Sequence, residues 1–412
     1  MSLRERISAE VNVAGWWIIA EVLTAPVQIL VLFVVRIIRP VLLLQIGCII
    51  APRIGHMAAN TDLALTELAS VETKLRSRTK VVWYPSEQRV CNGFLLNLIK
   101  RRTTVVPRWA IVVVVRLNEL IPGGSVHNFG SHTDRDTKNL LDRTGPQFHL
   151  TIAETRSGNQ KLDDIGIPVG AKFVCLIVRD SAYLKTTQPG KDWQYHDYRD
   201  CSIENYVVAA EELTRRGYYV FRMGVVIKYP LNTSNPMIID YASNGMRSDF
   251  MDIFLGANCE FCISNGTGFD AVPFVFRRPI LYVNTVPIGW LATFSEKFLL
   301  QTRTLVWTET GVRLTLREIF EAHLCVAGSS SEYSKAGVSL VENTSQEILD
   351  AVIEMVDRIE DKWIETPASA SLQQKFWATY ESCINPEERA LHGEFRAHYV
   401  SSALEKDPGW LE

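Results

Sequence analysis

The feature that most constrains this chain is a rhythm. Continuous apolar runs of strand length alternate with helical segments through most of its 412 residues. In the second half "KFVCLIVRD" reads as a strand, "IENYVVAAEELTRRG" as a helix ending at Gly217, and "YYVFRMG" as the next strand. "PMIIDYA" is a short strand, and "SDFMDIFLGA" a helix with Ser248 as N-cap and Asp249 and Asp252 in its first turn. "CEFCISN" and "RPILYVN" are strands on either side of a helical "GFDAVPFVF". Apolar runs without polar alternation belong to strands covered on both faces, so the pattern predicts a parallel, doubly wound sheet. Further on, Thr344 to Glu347 forms a capping box, and Ile348, Val352, Met355 and Ile359 mark one face of the helix it opens.

The first half carries a looser version of the same rhythm. "VLLLQIGCII", "KVVWYP" and "WAIVVVVRL" read as strands. A helix from "APRIGHMAAN" through "TDLALTELASVETKL" and a second at "NGFLLNLIKR" separate them. The length exceeds one ordinary core. Residues 1–40 are expected as an apolar membrane-associated segment, 41–165 as one α/β domain, 166–385 as a second, and 386–412 as a helical tail. Residues 118–170 are poor in pattern, and "DRD" at Asp134 to Asp136 is expected in a solvated loop there.

Residues 11–35, "VNVAGWWIIAEVLTAPVQILVLFVV", hold one formal charge, Glu21. The run is long enough to span a bilayer, yet Glu21, Pro26 and Gln28 fall in its middle. A transmembrane helix, a Pro-broken helix in the interface and a buried helix all fit. The absence of a small-residue cleavage site argues against a removed signal peptide. Trp16 and Trp17 suit an interface, as do the basic residues Lys100, Arg101, Arg102 and Arg108 before the valine run.

A formal net charge of -3 argues against a dedicated nucleic-acid binder. The eight cysteines are dispersed, most of them within apolar runs, where cysteine usually behaves as a small buried hydrophobe. Cys259 and Cys262 have no second pair at zinc-finger spacing, and no metal site is expected. No Walker sequence, nucleophile elbow or dinucleotide fingerprint is present.

In an open parallel sheet, ligands bind beyond the carboxyl ends of the strands. Here those ends carry Arg179-Asp180, Arg222 with Gly224, Asp240, and the turn Ser264, Asn265, Gly266, Thr267, Gly268. Arginines, with a glycine turn before a helix N-terminus, suit the diphosphate of a nucleotide. The opening strand leads to Arg53, Gly55 and His56. Arg277 and Arg278, beyond the helix after the turn, are expected to serve its C-terminus.

The segments "RIGHMAANTDL", "FVCLIVRDSAYL", "SIENYVVAAEELTRRGYYVFRMG" and "SDFMDIFLGANCEFCISNGTGFDAVPFVFRRPILYVN" resemble a family of bacterial glycosyltransferases. "GVSLVENTSQEILDAVIEMVDRI" fits it as well, so the resemblance runs from about residue 41 onward. It implies a GT-B-like α/β fold, two Rossmann-like domains facing across a cleft. The family is distantly similar to the α1,6- and protein O-fucosyltransferases, whose His-x-Arg-Arg-x-Asp strand end holds the donor diphosphate. "LIVRDS" has that shape with Arg179 and Asp180, but Ile177 stands in the place of the His and there is no second arginine. "RIGH" resembles the Gly-rich first loop of other GT-B transferases, which implies that Arg53, Gly55 and His56 face the acceptor.

The expectation is therefore a metal-independent glycosyltransferase without a cofactor. It would use a nucleotide sugar as donor and a glycan or lipid-linked acceptor, at the cytoplasmic face of the inner membrane. His56 and Arg179 are the expected catalytic residues. A nucleotide-sugar epimerase and an inactive nucleotide-sugar-binding module are the alternatives.

Overall fold

The computed structural model describes residues 3–70, 78–130, 133–182, 186 and 193–412, with side chains from residue 16 onward. It divides into two compact units, Met1–Asp134 and Arg135–Glu412, each considered by itself.

The first unit opens with a single helix, α1 (Leu3–Ile38). There follow β1 (Leu43–Ile49), α2 (Ile54–Ser70), β2 (Thr79–Pro85), α3 (Gly93–Arg102), β3 (Thr104–Val105) and α4 (Val112–Leu120). The three strands form a parallel sheet in the order β1-β2-β3. Leu32 of α1 packs with Ile46 of β1 and with Ile111 and Val114 at α4, forming a small core.

Two expectations fail in this unit. Pro26 does not break α1, which stays helical on both sides of it. The valine run, expected as a strand, is α4. The side chain of Gln28 supplies what a strand partner would have supplied: its Oε1 accepts from Val113 N at 2.9 Å and its Nε2 donates to Trp109 O at 2.8 Å. Tertiary partners override the β-propensity of valine here.

The second unit holds a seven-stranded parallel sheet in the order β12-β9-β8-β7-β4-β5-β6. Its strands are β4 (Phe173–Ile177), β5 (Tyr219–Arg222), β6 (Ile238–Ile239), β7 (Phe261–Ser264), β8 (Ile280–Thr285), β9 (Phe298–Thr302) and β12 (His398–Tyr399). β10 (Thr304–Trp307) and β11 (Val338–Val341) pair separately as an antiparallel ribbon. The crossover helices include α5 (Ile152–Asp163), α6 (Val207–Arg215), α7 (Asp249–Asn258) and α8 (Ala271–Val275). Ser248 caps α7 by accepting from Met251 N. The helix Ser345–Ile359 begins at the Thr344–Glu347 capping box and buries Ile348, Val352 and Met355 against the sheet.

The units divide after Asp134 and not after the expected 165, because α5 belongs to the second. Its Gly158 lies against Phe254 of α7 so closely that a Cβ would fall 2.2 Å from the ring. Of "DRD" only Asp134 is exposed: Asp136 is buried and accepts from Leu141 N, and the Arg135 guanidinium donates to the carbonyls of Trp290, Leu291 and Leu391. Nor are residues 386–412 a separate tail, since β12 joins the main sheet beside β9.

Candidate functional site

Winding in the second unit starts at β4, proceeds outward through β5 and β6, then returns to β7 and proceeds the other way through β8 and β9. The order reverses between β4 and β7, and a sheet of this kind leaves its ligand crevice beyond the strand ends at that point. Ile177 and Ser264 are the last paired residues there.

Beyond these two residues, one side chain stitches the loops together. Asn265, 2% exposed, accepts from Arg179 N through Oδ1 at 3.0 Å. Its Nδ2 donates to Arg199 O at 3.0 Å and contacts Cys201 Sγ at 3.1 Å. Cys201 N in turn donates to Arg179 O. The 3-10 segment Gln194–Arg199 is thereby held over the ends of β4 and β7.

Three arginines converge on this knot. Arg179 Nε lies 3.3 Å from Asp200 Oδ1, and its two terminal nitrogens make no hydrogen bond among the described residues. Arg199 donates from Nη2 to Gly266 O, while its Nε is buried without a partner among the described residues. Arg303, just past β9, donates to Asp200 O and Cys201 Sγ and stands 3.8 Å from Glu342. Burial, and then the positive charge of Arg179, lower the pKa of Arg199. Burial also pushes Asp200 up to about 6 against the pull of Arg179, with Asp197 and Asp180 adding repulsion. Two guanidiniums that repel each other, one with an unused buried N–H, form a place where an anion would be stabilised.

Other expected site residues are committed elsewhere. Arg222 is 1% exposed, bonded to Asp240 Oδ1 at 3.2 Å and 4.0 Å from Asp180 Oδ2. Asp240 also accepts from Leu231 N, and Asp180 from Ala182 N and Lys228 N. Arg222, Asp180 and Asp240 thus lock the loops after β4, β5 and β6, and Gly224 at φ 157° turns the chain beside them. Arg222 is committed to these carboxylates through its terminal nitrogens, and its Nε is buried without a hydrogen-bond partner among the described residues.

The Ser264–Gly268 turn also spends its amides internally. Gly266 N donates to Ser264 Oγ at 3.0 Å and Thr267 N to Asp270 Oδ2 at 3.0 Å. Ser264 Oγ donates to the same Asp270 oxygen at 2.7 Å. The helix beyond is five residues long, after one 3-10 turn at Gly268–Asp270. The turn thereby withholds two of its amides from a phosphate. Its service is to aim the Gly266 carbonyl, at φ 81°, toward Arg199. Arg277 serves the end of α8 as expected, donating to Val275 O, whereas Arg278 donates to Ala257 O in the last turn of α7. Cys262 is core, as expected, and so are Cys175 and Cys259.

In the first unit, Gly55 and His56 occupy the first turn of α2 rather than a glycine loop; Met57 N already donates to Arg53 O. Arg53 is exposed, and the half-buried His56 ring makes no hydrogen bond among the described residues. Arg199, Asp200 and Arg303 escaped the sequence reading. "YRDC" lies outside every periodic segment, whereas "KFLLQTR" is an apolar run ending in arginine and does carry a strand-end signal.

No protein-family model matches the chain, and no curated protein matches its sequence. Among solved structures it is partly similar to the Escherichia coli ADP-heptose lipopolysaccharide heptosyltransferase II. That match has 14% identity and a TM-score of 0.39, over 77% of this chain and 99% of the other. A glycosyl transferase family 9 protein from Veillonella parvula matches with 11% identity and a TM-score of 0.34, over 58% and 79%. The iron-containing dodecameric glycosyltransferase TibC of enterotoxigenic E. coli matches with 12% identity and a TM-score of 0.30, over 59% and 61%. These similarities stop short of a shared superposable fold, so the chemistry of the site is read from its own geometry.

Proposed function

We propose that this protein is a glycosyltransferase whose donor is a nucleotide sugar, held by its diphosphate between Arg179 and Arg199. The carrying observation is the pair of mutually repelling guanidiniums at the switch point of a doubly wound sheet. The resemblance of the surrounding segments to bacterial glycosyltransferases turns a diphosphate site into a donor site.

In the reaction the bond from the sugar C1 to the diphosphate oxygen breaks, and its electron pair leaves with the nucleoside diphosphate. Arg179 and Arg199 stabilise the charge that grows there, which lets the transfer proceed without a divalent ion. An acceptor oxygen forms the new bond to C1 and gives its proton to His56 of the first unit, which acts as general base. We take the acceptor as a glycan or lipid-linked molecule at the cytoplasmic face of the inner membrane. The apolar α1 supports that location.

Titration calorimetry with ADP, GDP and UDP tests the donor half. Arg199→Gln is expected to weaken the preferred diphosphate about ten- to a hundredfold, the loss of one charge-assisted bond. Transfer at the parent rate by both Arg179→Ala and His56→Ala would overturn the reading.

A further inference from the structure

Polar and apolar residues of α1 are sorted by face. Glu21, Thr24, Gln28 and Arg36 form a seam against α4 and its flanks. Glu21 lies within 4 Å of Arg108 and Arg116, Thr24 and Gln28 bond Trp109 O, and Arg36 bonds Asn118 and Pro122 O. Away from the seam, Trp16, Leu23, Leu30 and Ile37 recur every seven residues, each more than 60% exposed. Within the apolar span Trp16–Ile38 only Gln28, Leu32 and Val35 are buried.

We infer that α1 lies in the plane of an anionic bilayer as a monotopic anchor, its apolar face among the acyl chains and its seam turned to the protein. Length alone would permit a crossing. The seam forbids it. From Thr24 to Arg36, about 18 Å of helix, α1 is bonded along α4. A crossing would carry α4 into the hydrocarbon with its exposed Arg116 and Glu119, where charge is costly. Lying flat leaves those charges outside and keeps Glu21, Thr24, Gln28 and Arg36 on their partners in the protein. The charge balance names the lipid. Residues 1–134 hold fifteen Lys and Arg against nine Asp and Glu, a net +6, while the whole chain is -3. A basic unit carrying an apolar face fits an anionic leaflet. The inference is independent of the transfer reading.

The full-length protein, with an epitope tag before Met1, is floated with sealed phosphatidylcholine vesicles with and without about 30% phosphatidylglycerol. Co-flotation that strengthens with the anionic lipid is expected. Leu23→Lys with Leu30→Lys, both on the exposed face and so neutral to folding, is expected to lower partitioning about tenfold or more. Protease added outside should remove the tag and digest the C-terminal unit from the same side. Tag and C-terminus on opposite sides would show a crossing and overturn the inference. So would a lipid-indifferent dimer at twice 46.6 kDa, with the apolar face closed between two copies.

Discussion

Two arginines beside the same sheet, Arg222 at the end of β5 and Arg199 on a 3-10 segment, have opposite fates, and their neighbours decide which. Arg222 ends β5 between Asp180 and Asp240, out of water on every side. Removing it leaves two carboxylates without their counter-charge, at a cost of about 3–5 kcal/mol. Arg222→Met is therefore expected to lower the urea midpoint by that equivalent, while the protein that remains folded binds nucleoside diphosphate at parent affinity. Lost affinity in a normally stable variant would return Arg222 to the binding residues. Arg199 is the converse case. It is buried beside another positive charge, so its loss relieves repulsion even as it removes a ligand contact. Arg199→Gln should leave the midpoint within about 1 kcal/mol of the parent, although Gly266 O loses its donor. Read from the chain alone, Arg222 ends a strand and Arg199 lies in no periodic segment, and neither position shows what it contacts. What separates them is the contact of Arg222 with Asp180, set by the pairing of β4 with β5, and that of Arg199 with Gly266, set by the Asn265 staple.

At the scale of elements, α4 shows why pattern alone can mislead. Four consecutive valines favour a pleated, half-buried surface, and the sequence supports a strand there. The side chain that satisfies the helix start is Gln28, eighty-five residues from Val113, and no local window contains both. Gln28→Leu keeps the volume and removes the bonds to Val113 N and Trp109 O. It is expected to destabilise the first unit by about 1–3 kcal/mol, the cost of stranding buried polar groups. Hydrogen exchange should then show faster opening at Val113 with the second unit unchanged; equal protection in both proteins would refute the role given to Gln28. The central strands β4, β5, β7 and β8 were legible because each is an apolar run between clear helical signals. Ser248 and the Thr344–Glu347 box were legible because capping is local chemistry. β12 contributes two residues, His398 and Tyr399, and is a strand only because β9 lies beside it. The same limit hid half of the candidate site: Arg179 announces itself at a strand end, whereas Arg199 and Asp200 reach the crevice on a 3-10 segment without periodicity.

At the scale of the whole molecule, the two units should respond differently to acid, and His392 is the reason. It sits where the start of the second unit meets its end, buried among Arg135, Thr293, Tyr380 and the carbonyl of Gly289. Nε2–H donates to Gly289 O, so Nδ1 is the acceptor for Arg135 and Thr293, and a second proton has no place to go. Burial first, then the charge of Arg135, hold the imidazole down to about 3, with Arg389 adding to the effect. An unfolded histidine takes up its proton near 6.5, so between those values the unfolded chain binds more protons and stability falls as pH falls. The slope is about 1.4 kcal/mol per pH unit, which comes to about 2 kcal/mol by pH 5. Asp136, Asp200, Asp252 and Glu354, whose carboxyls burial pushes upward, act in the opposite sense, binding protons in the folded state first. The histidine is therefore isolated by difference. Between pH 7 and pH 5 the parent should lose about 2 kcal/mol more than His392→Gln, which keeps a donor and an acceptor but does not titrate. Calorimetric scans should place that difference in the transition of the second unit. Parallel pH profiles for the two proteins would mean that His392 takes up its proton as readily in the fold as in the unfolded chain, and that the closure around it is not the acid-sensitive part of the molecule.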